Sequence, residues 1–198
     1  NEIVLGDKAK DKVIKYVPHG LNAEMYFPLD RDSKEVSEVR KNIFGDREVD
    51  FLMFFNSRNI RRKQIPDTMM AFRMFLDTLP KEKADKCSFL LHTEIISDHG
   101  TDLEAVRELL FGEKYPNAVY FSTNKISTQE LNLLYNVSDV QILLTSNEGW
   151  GLTLTEAMLA GTPIIANVTG GMQDQMRFEY DEDEGPGVKK GGWIDFDK

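Results

Sequence analysis

The residues best able to do chemistry lie in Asn147-Glu148-Gly149-Trp150-Gly151-Leu152-Thr153-Leu154-Thr155-Glu156-Ala157-Met158, followed by Ala160-Gly161-Thr162-Pro163. Two carboxylates, Glu148 and Glu156, stand eight residues apart and bracket a glycine-flanked tryptophan. An ionised carboxylate only accepts hydrogen bonds, and it can hold a pair of vicinal hydroxyls. Gly149 and Gly151 let the main chain approach a ligand closely. The apolar run Val140 to Leu144 comes just before, so the stretch reads as a strand end, a turn and a helix N-terminus. Free N–H groups and the helix dipole converge at such a place and favour anions. Hydroxyl pairs at one end and phosphate in the middle describe a nucleotide sugar.

A second cluster follows the apolar run Phe51 to Phe55. Asn56-Ser57-Arg58-Asn59-Ile60-Arg61-Arg62-Lys63 carries four cations within six residues, in a chain of net charge -9. Arginine offers phosphate a planar fork and lysine a mobile point charge. Arg58 and Lys63 can therefore clamp a diphosphate from two sides and neutralise it as it departs, without a metal. On that reading Glu156 holds the ribose and Glu148 faces the transferred sugar. The plainer alternative is a solvated basic loop, a loop acid at Glu148 and a first-turn helix acid at Glu156 that the dipole favours. The glycines between the two acids weigh against it.

Those residues must be positioned by a sheet. Apolar, β-branched or aromatic runs recur at Val13 to Val17, Phe51 to Phe55, Ser88 to Leu91, Val119 to Phe121, Val140 to Leu144 and Ile164 to Ala166. Helical periodicity fills the gaps at Val36 to Ile43, Ile65 to Leu79, Leu103 to Leu110, Gln129 to Tyr135 and Leu152 to Leu159. The Ile65 helix carries Ile65, Met69, Phe72, Phe75, Leu76 and Leu79 on one face, and the methionines read as core filler. Strict alternation of strand and helix predicts an α/β fold, a Rossmann-like parallel sheet with helices on both faces. Ligands of such sheets collect at the carboxyl ends of the strands. Asn56 to Lys63, Ser122 to Ser127 and Ser146 to Thr153 would share that edge.

Composition narrows the classes. The 198 residues suffice for one domain with a core, and 41% hydrophobic and 29% charged content are ordinary for a globular chain. The negative charge argues against nucleic acid as a partner. No apolar run approaches the ~20 residues that span a bilayer, and no signal-peptide pattern opens the chain. Cys87, the one cysteine, sits in an apolar run and reads as an inert core thiol, which fits a reducing, cytoplasmic setting. His92 and His99 lack metal-ligand spacing, no metal site is expected, and the sequons at Asn136 and Asn167 read as coincidence. Asp181 to Glu184 reads as a solvated acidic loop before a short last strand, Trp193 to Phe196. The chain opens on Asn1 and is expected to be a piece of a longer protein.

The segment Asn147 to Ala166 resembles the signature of retaining GT-B glycosyltransferases of family four, with its E-x7-E spacing and following Ala-Gly-Thr-Pro. Tyr16-Val17-Pro18-His19-Gly20-Leu21-Asn22 looks like the segment that opens that family's C-terminal domain. Arg58 and Lys63 match its Arg-x4-Lys pair, Ser127 to Asp139 its helix before the signature strand, and Gly170-Gly171 its later glycine turn. Ser57 stands where the family usually has glycine, and Arg61-Arg62 make the loop more basic than most. His19, where relatives carry Asn or His, reads as a hinge or strand-end residue.

The resemblance implies a donor-binding domain over residues 16–180. Residues 1–15 would be a linker or the end of an N-terminal domain, and 181–198 an acidic loop and terminal strand. Arg58 and Lys63 would bind the donor diphosphate, Glu156 the ribose and Glu148 the sugar. The turn Gly149, Trp150, Gly151, Leu152 and Thr153 would line the donor, and the base would rest near Asn124, Lys125 and Ile126. The expected activity is metal-independent, retaining transfer of a hexose-type sugar from a UDP- or GDP-linked donor, with no cofactor. The acceptor would bind mainly to an N-terminal domain absent from this sequence, through which peripheral membrane contact could also arise, and the chain alone would be inactive. The alternatives are a non-catalytic nucleotide-sugar-binding module or pseudo-transferase, and a GT-B enzyme of other chemistry such as an epimerase.

Overall fold

The computed structural model describes Val4, residues 6–13, Val17 and residues 19–176. Its five strands are β1 (Phe51–Asn56), β2 (Cys87–His92), β3 (Val119–Ser122), β4 (Val140–Leu143) and β5 (Ile164–Ala166). Its helices are α1 (Lys34–Phe44), α2 (Ile65–Asp77), α3 (Lys81–Ala84), α4 (Leu103–Leu110), α5 (Thr128–Val137), α6 (Leu152–Leu159) and α7 (Met172–Gln175).

The strands form one parallel sheet in the order β3-β2-β1-β4-β5. From β1 the chain builds outward through β2 and β3, then returns to place β4 and β5 on the other side. The order therefore reverses between β1 and β4, and the loops leaving those two strands flank a crevice. β1 is central, and its run Leu52 to Phe55 is buried on both faces, which is why it reads as continuous rather than alternating apolar sequence.

Met53 and Phe55 face a core layer containing Ile65, Met69, Phe72 and Leu76 of α2 and Leu103 of α4. Leu52 and Phe54 face the opposite layer, with Val36 and Phe44 of α1 and Leu134 and Tyr135 of α5. α6 contributes Leu154 to the first layer and Ala157 to the second. Caps fix where the helices start. Ser33 and Asp102 accept from main-chain N–H groups of α1 and α4, and Ser127 with Glu130 forms a reciprocal capping box on α5.

The five strands from Phe51 onward and the five longer helices stand where periodicity puts them, within a residue or two at their ends. Residues 14–16 of the strand expected at Val13 to Val17 lie outside the described residues, as do Pro18, the acidic run 181–184 and the strand expected at Trp193 to Phe196. Val13 and Val17 themselves are exposed and belong to no strand. The core-filler reading of methionine needs correcting. Met53, Met69 and Met172 are buried, but Met25, Met70, Met74 and Met158 are exposed. Phe75 is also partly exposed, at the rim of its helix face, against Phe51 and Phe72.

Candidate functional site

The loop leaving β1 is fastened before it turns. Asn59 is buried, and its amide donates to the carbonyls of Ile95 (3.2 Å) and Thr101 (2.6 Å) while its oxygen accepts from Thr101 N (3.1 Å). Gly100 packs so closely that a Cβ there would lie 2.1 Å from the Asn59 side-chain oxygen. A 3-10 turn over Arg61–Lys63 then ends at Gln64, whose φ of 46° is the one positive value at a non-glycine among the described residues. That reversal starts α2 and leaves Lys63 buried.

The loop leaving β4 meets it across the crevice. Ser146 N donates to the Arg62 carbonyl at 2.9 Å, and the Thr145 hydroxyl lies 3.0 Å from the same oxygen. Lys63 Nζ donates to Glu148 Oε2, and Arg62 Nη1 donates to that oxygen at 2.9 Å and to the Asn147 carbonyl at 2.6 Å. The side chains of Lys63 and Glu148 are 7% and 12% exposed, so the pair is largely withdrawn from water. Burial, helped by the charges of Arg62 and Arg58, holds the Lys63 ammonium below its ordinary range despite Glu148. Burial pushes Glu148 upward, but the hydrogen bonds from Lys63 and Arg62 outweigh it and its carboxyl sits below the usual value. Arg58 is exposed, close enough for its charge to be felt at Lys63, and has no carboxylate partner among the described residues.

The turn after Glu148 is clamped from behind. Gly171 N donates to the Glu148 carbonyl at 3.1 Å, and the Gln175 amide reaches the carbonyls of Trp150 (3.0 Å) and Gly151 (3.2 Å). A Cβ at Gly171 would fall 1.9 Å from the Gly149 oxygen, so the Gly170-Gly171 turn exists to let two backbones touch. Gly151, at φ 87°, starts α6. Gly149 differs: a Cβ there would meet nothing within 4 Å. Trp150 donates through Nε1 to Thr155 (3.1 Å), and the His19 ring stands 5.8 Å from its own. Leu152 is exposed, and the Thr153 hydroxyl is buried with no partner among the described residues.

Glu156 reaches the same edge from α6. Its Oε2 accepts from the Tyr135 hydroxyl at 2.6 Å, and that hydroxyl accepts from the amide of Asn56, the last residue of β1, at 3.1 Å. Burial, then the charge and hydrogen bond of Glu156, push the Tyr26 hydroxyl up to about 12 and that of Tyr135 well above its ordinary value. Asn124 and Lys125 are exposed after β3, two strands from β1, and Ile126 packs into the layer beside α1 and α5.

The structure thus brings Lys63, Glu148 and the 149–153 turn together, sets Arg58 within electrostatic reach, and ties Glu156 to the end of β1. No side-chain hydrogen bond or ion pair among the described residues joins Asn124, Lys125 or Ile126 to them. Arg62, Asn56, Tyr26 and Tyr135 are participants that spacing did not single out. Arg62 reads as one more basic loop residue, and Tyr135 as an apolar helix face. Among the described residues no three His, Cys, Asp or Glu side chains group as a metal cage, and no helix is long and apolar enough to cross a membrane. His92 is lowered by burial and bonded to Ser122 at 2.9 Å, and Cys87 is buried. A cavity of about 390 Å³ lies at the opposite, amino-terminal edge, where the Arg47 guanidinium is committed to Ser88 and to the carbonyls of Asp85 and Cys87.

The chain is similar to known proteins. The α-monoglucosyldiacylglycerol synthase of Acholeplasma laidlawii is 27% identical over 174 residues, 82% of this chain and 40% of that protein. The chain therefore spans two fifths of that relative's length. The trehalose synthase of Pyrococcus horikoshii is 37% identical over 65 residues, 33% of this chain and 16% of its own. Among solved structures, Anabaena Alr3699/HepE in complex with UDP and glucose aligns with a TM-score of 0.64 at 19% identity, covering 90% of this chain and 44% of that one. The C-terminal domain of the group 1 glycosyl transferase LpcC from Francisella tularensis aligns with a TM-score of 0.61 at 18% identity, covering 81% and 76%. These likenesses fix the fold as a GT-B-type Rossmann-like domain. The family pattern of glycosyl transferases group 1 matches residues 45–181, from the turn before β1 past α7, and the chain belongs to that family.

Proposed function

We propose that this chain is the donor-binding part of a retaining glycosyltransferase of family four, taking a hexose-type sugar from a UDP- or GDP-linked donor. One observation carries the reading: the cation loop after β1 and the glutamate turn after β4 meet at the point where strand order reverses, with Lys63 and Arg62 on Glu148. Arg58, exposed beside them, and Lys63 hold the diphosphate. Glu156 holds the ribose, Glu148 faces the sugar, and the open space over Gly149 admits the donor. The base lies toward Asn124, Lys125 and Ile126.

Chemistry is mostly electrostatic. As the glycosidic bond breaks, charge grows on the departing diphosphate, and fixed cations and helix-terminal N–H groups stabilise it without reorganising. The cations take the part a metal plays elsewhere, so the reaction runs without metal or cofactor. The acceptor is oriented by a region outside this sequence, in a cytoplasmic protein, and turnover needs that region.

Calorimetric titration with UDP- and GDP-sugars tests the reading, with chelator present. Saturable binding of one class, lost on combined alanine replacement of Arg58 and Lys63, is expected. Absence of binding to either class overturns it. A pseudo-transferase would bind the donor identically, and is separated by assaying hydrolysis and transfer in the full-length protein.

A further inference from the structure

We infer that Tyr135 is a positioning residue for the donor ribose: its hydroxyl, oriented by Asn56, fixes one oxygen of Glu156 so that the other is presented to the ribose diol. The inference rests on the reading of Glu156 given above.

Tyr135 is fully buried, with its ring edge-on to Phe54 (5.3 Å) and Tyr26 (6.1 Å). A hydroxyl so placed must find partners, and it has two. The Asn56 amide donates to its oxygen at 3.1 Å, which leaves the single hydroxyl proton for Glu156 Oε2 at 2.6 Å. The direction of the chain is therefore set: amide to hydroxyl to carboxylate. A phenol held by burial far above its ordinary range keeps that proton at any working pH. Glu156 is half-buried and also takes the Tyr26 hydroxyl, and its carboxylate keeps further acceptor sites beyond these two phenols. A carboxylate with one oxygen fixed loses less freedom when it binds two hydroxyls than one that must first be ordered.

The position of Asn56 adds a second consequence. It ends β1 and immediately precedes Ser57-Arg58, so the strand end that orients Tyr135 also leads into the cation loop.

The test compares UDP and GDP with the 2′,3′-dideoxy form of whichever binds, by calorimetry on the chain. The unsubstituted chain should bind the dideoxy nucleotide about tenfold more weakly or worse. Tyr135→Phe should weaken the natural nucleotide roughly threefold to tenfold and leave the dideoxy form unchanged, narrowing that ratio. Asn56→Ala, which leaves the buried ring in place, should narrow it in the same sense should Tyr135→Phe not fold. A purely structural tyrosine would weaken both nucleotides equally or neither, and either result overturns the inference. If Glu156→Gln then still narrows the ratio, the ribose role of Glu156 stands and only Tyr135 is wrong. No discrimination by the unsubstituted chain, or no nucleotide bound, overturns that role and this inference together.

Discussion

The Lys63 ammonium and the Glu148 carboxylate, 85 residues apart in sequence, touch across the crevice between β1 and β4. Arg62 reaches the same carboxylate oxygen, and Arg58 lies within electrostatic reach. Three cations thus face one carboxylate, and the surplus positive charge is what a diphosphate would meet. Glu148 also keeps a buried lysine charged, a state that burial alone disfavours.

Glu148 makes stability depend on pH in the acid range. Its folded carboxyl sits below the ordinary 4.5. Its contribution is therefore complete above that value and lost as pH falls through the lower, folded one. Glu148→Gln should lower unfolding free energy at pH 7 and flatten its decline below about pH 5, measured by urea melts at several pH values. Asp77, drawn down to about 2 chiefly by Lys114, with Tyr115 and Arg73, should hold its contribution to lower pH. Parallel profiles for Glu148→Gln and the unsubstituted chain would contradict the assignment.

Lys63→Ala should weaken a nucleoside diphosphate by about tenfold to a hundredfold, the equivalent of ~1.5–3 kcal/mol for a charge-assisted bond. A nucleoside monophosphate should lose much less. Equal losses for the two ligands would mean that Lys63 does not meet the distal phosphate.

Glu156→Gln and Glu148→Gln should differ in the full-length enzyme. The ribose is unchanged during reaction, so loss of Glu156 should raise KM for the donor with kcat less affected. The sugar ring gains positive character, so loss of Glu148 should lower kcat while donor binding persists. Steady-state kinetics beside equilibrium binding separates the two, and matching profiles would remove the distinction.

The glycines offer a paired test. Gly171→Ala drives a Cβ against the Gly149 carbonyl and should cost about 1–3 kcal/mol of stability. Gly149→Ala meets open space, so its melting temperature should hold while nucleotide-sugar affinity falls. A stability loss at Gly149 as large as that at Gly171 would show that the fold, not the ligand, requires it.

Periodicity carried the architecture because β1, β2 and β4 are buried on both faces and therefore spell continuous apolar runs, such as Phe51 to Phe55. The acids and the Arg58/Lys63 pair were legible because their spacing surrounds glycines and strand ends. The partners were not. Nothing in sequence distance says that Arg62 would cross to Glu148, or that the Tyr135 hydroxyl would leave an apolar helix face to reach Glu156. The first pairing depends on β4 lying beside β1, which strand order decides, and the second on α5 packing against α6. Exposed Met70 and Met74 show the converse limit, since hydrophobic identity alone does not say which side of α2 meets the sheet.

That same adjacency has a kinetic meaning. Lys63 and Glu148 stand 85 residues apart, on loops that leave β1 and β4, so the site is built from non-local contacts. Closing so long a loop is slow relative to helix formation. On refolding, nucleotide binding should therefore recover later than helical signal, and a ligand that engages only the completed sheet should raise the melting temperature in proportion to the logarithm of its concentration.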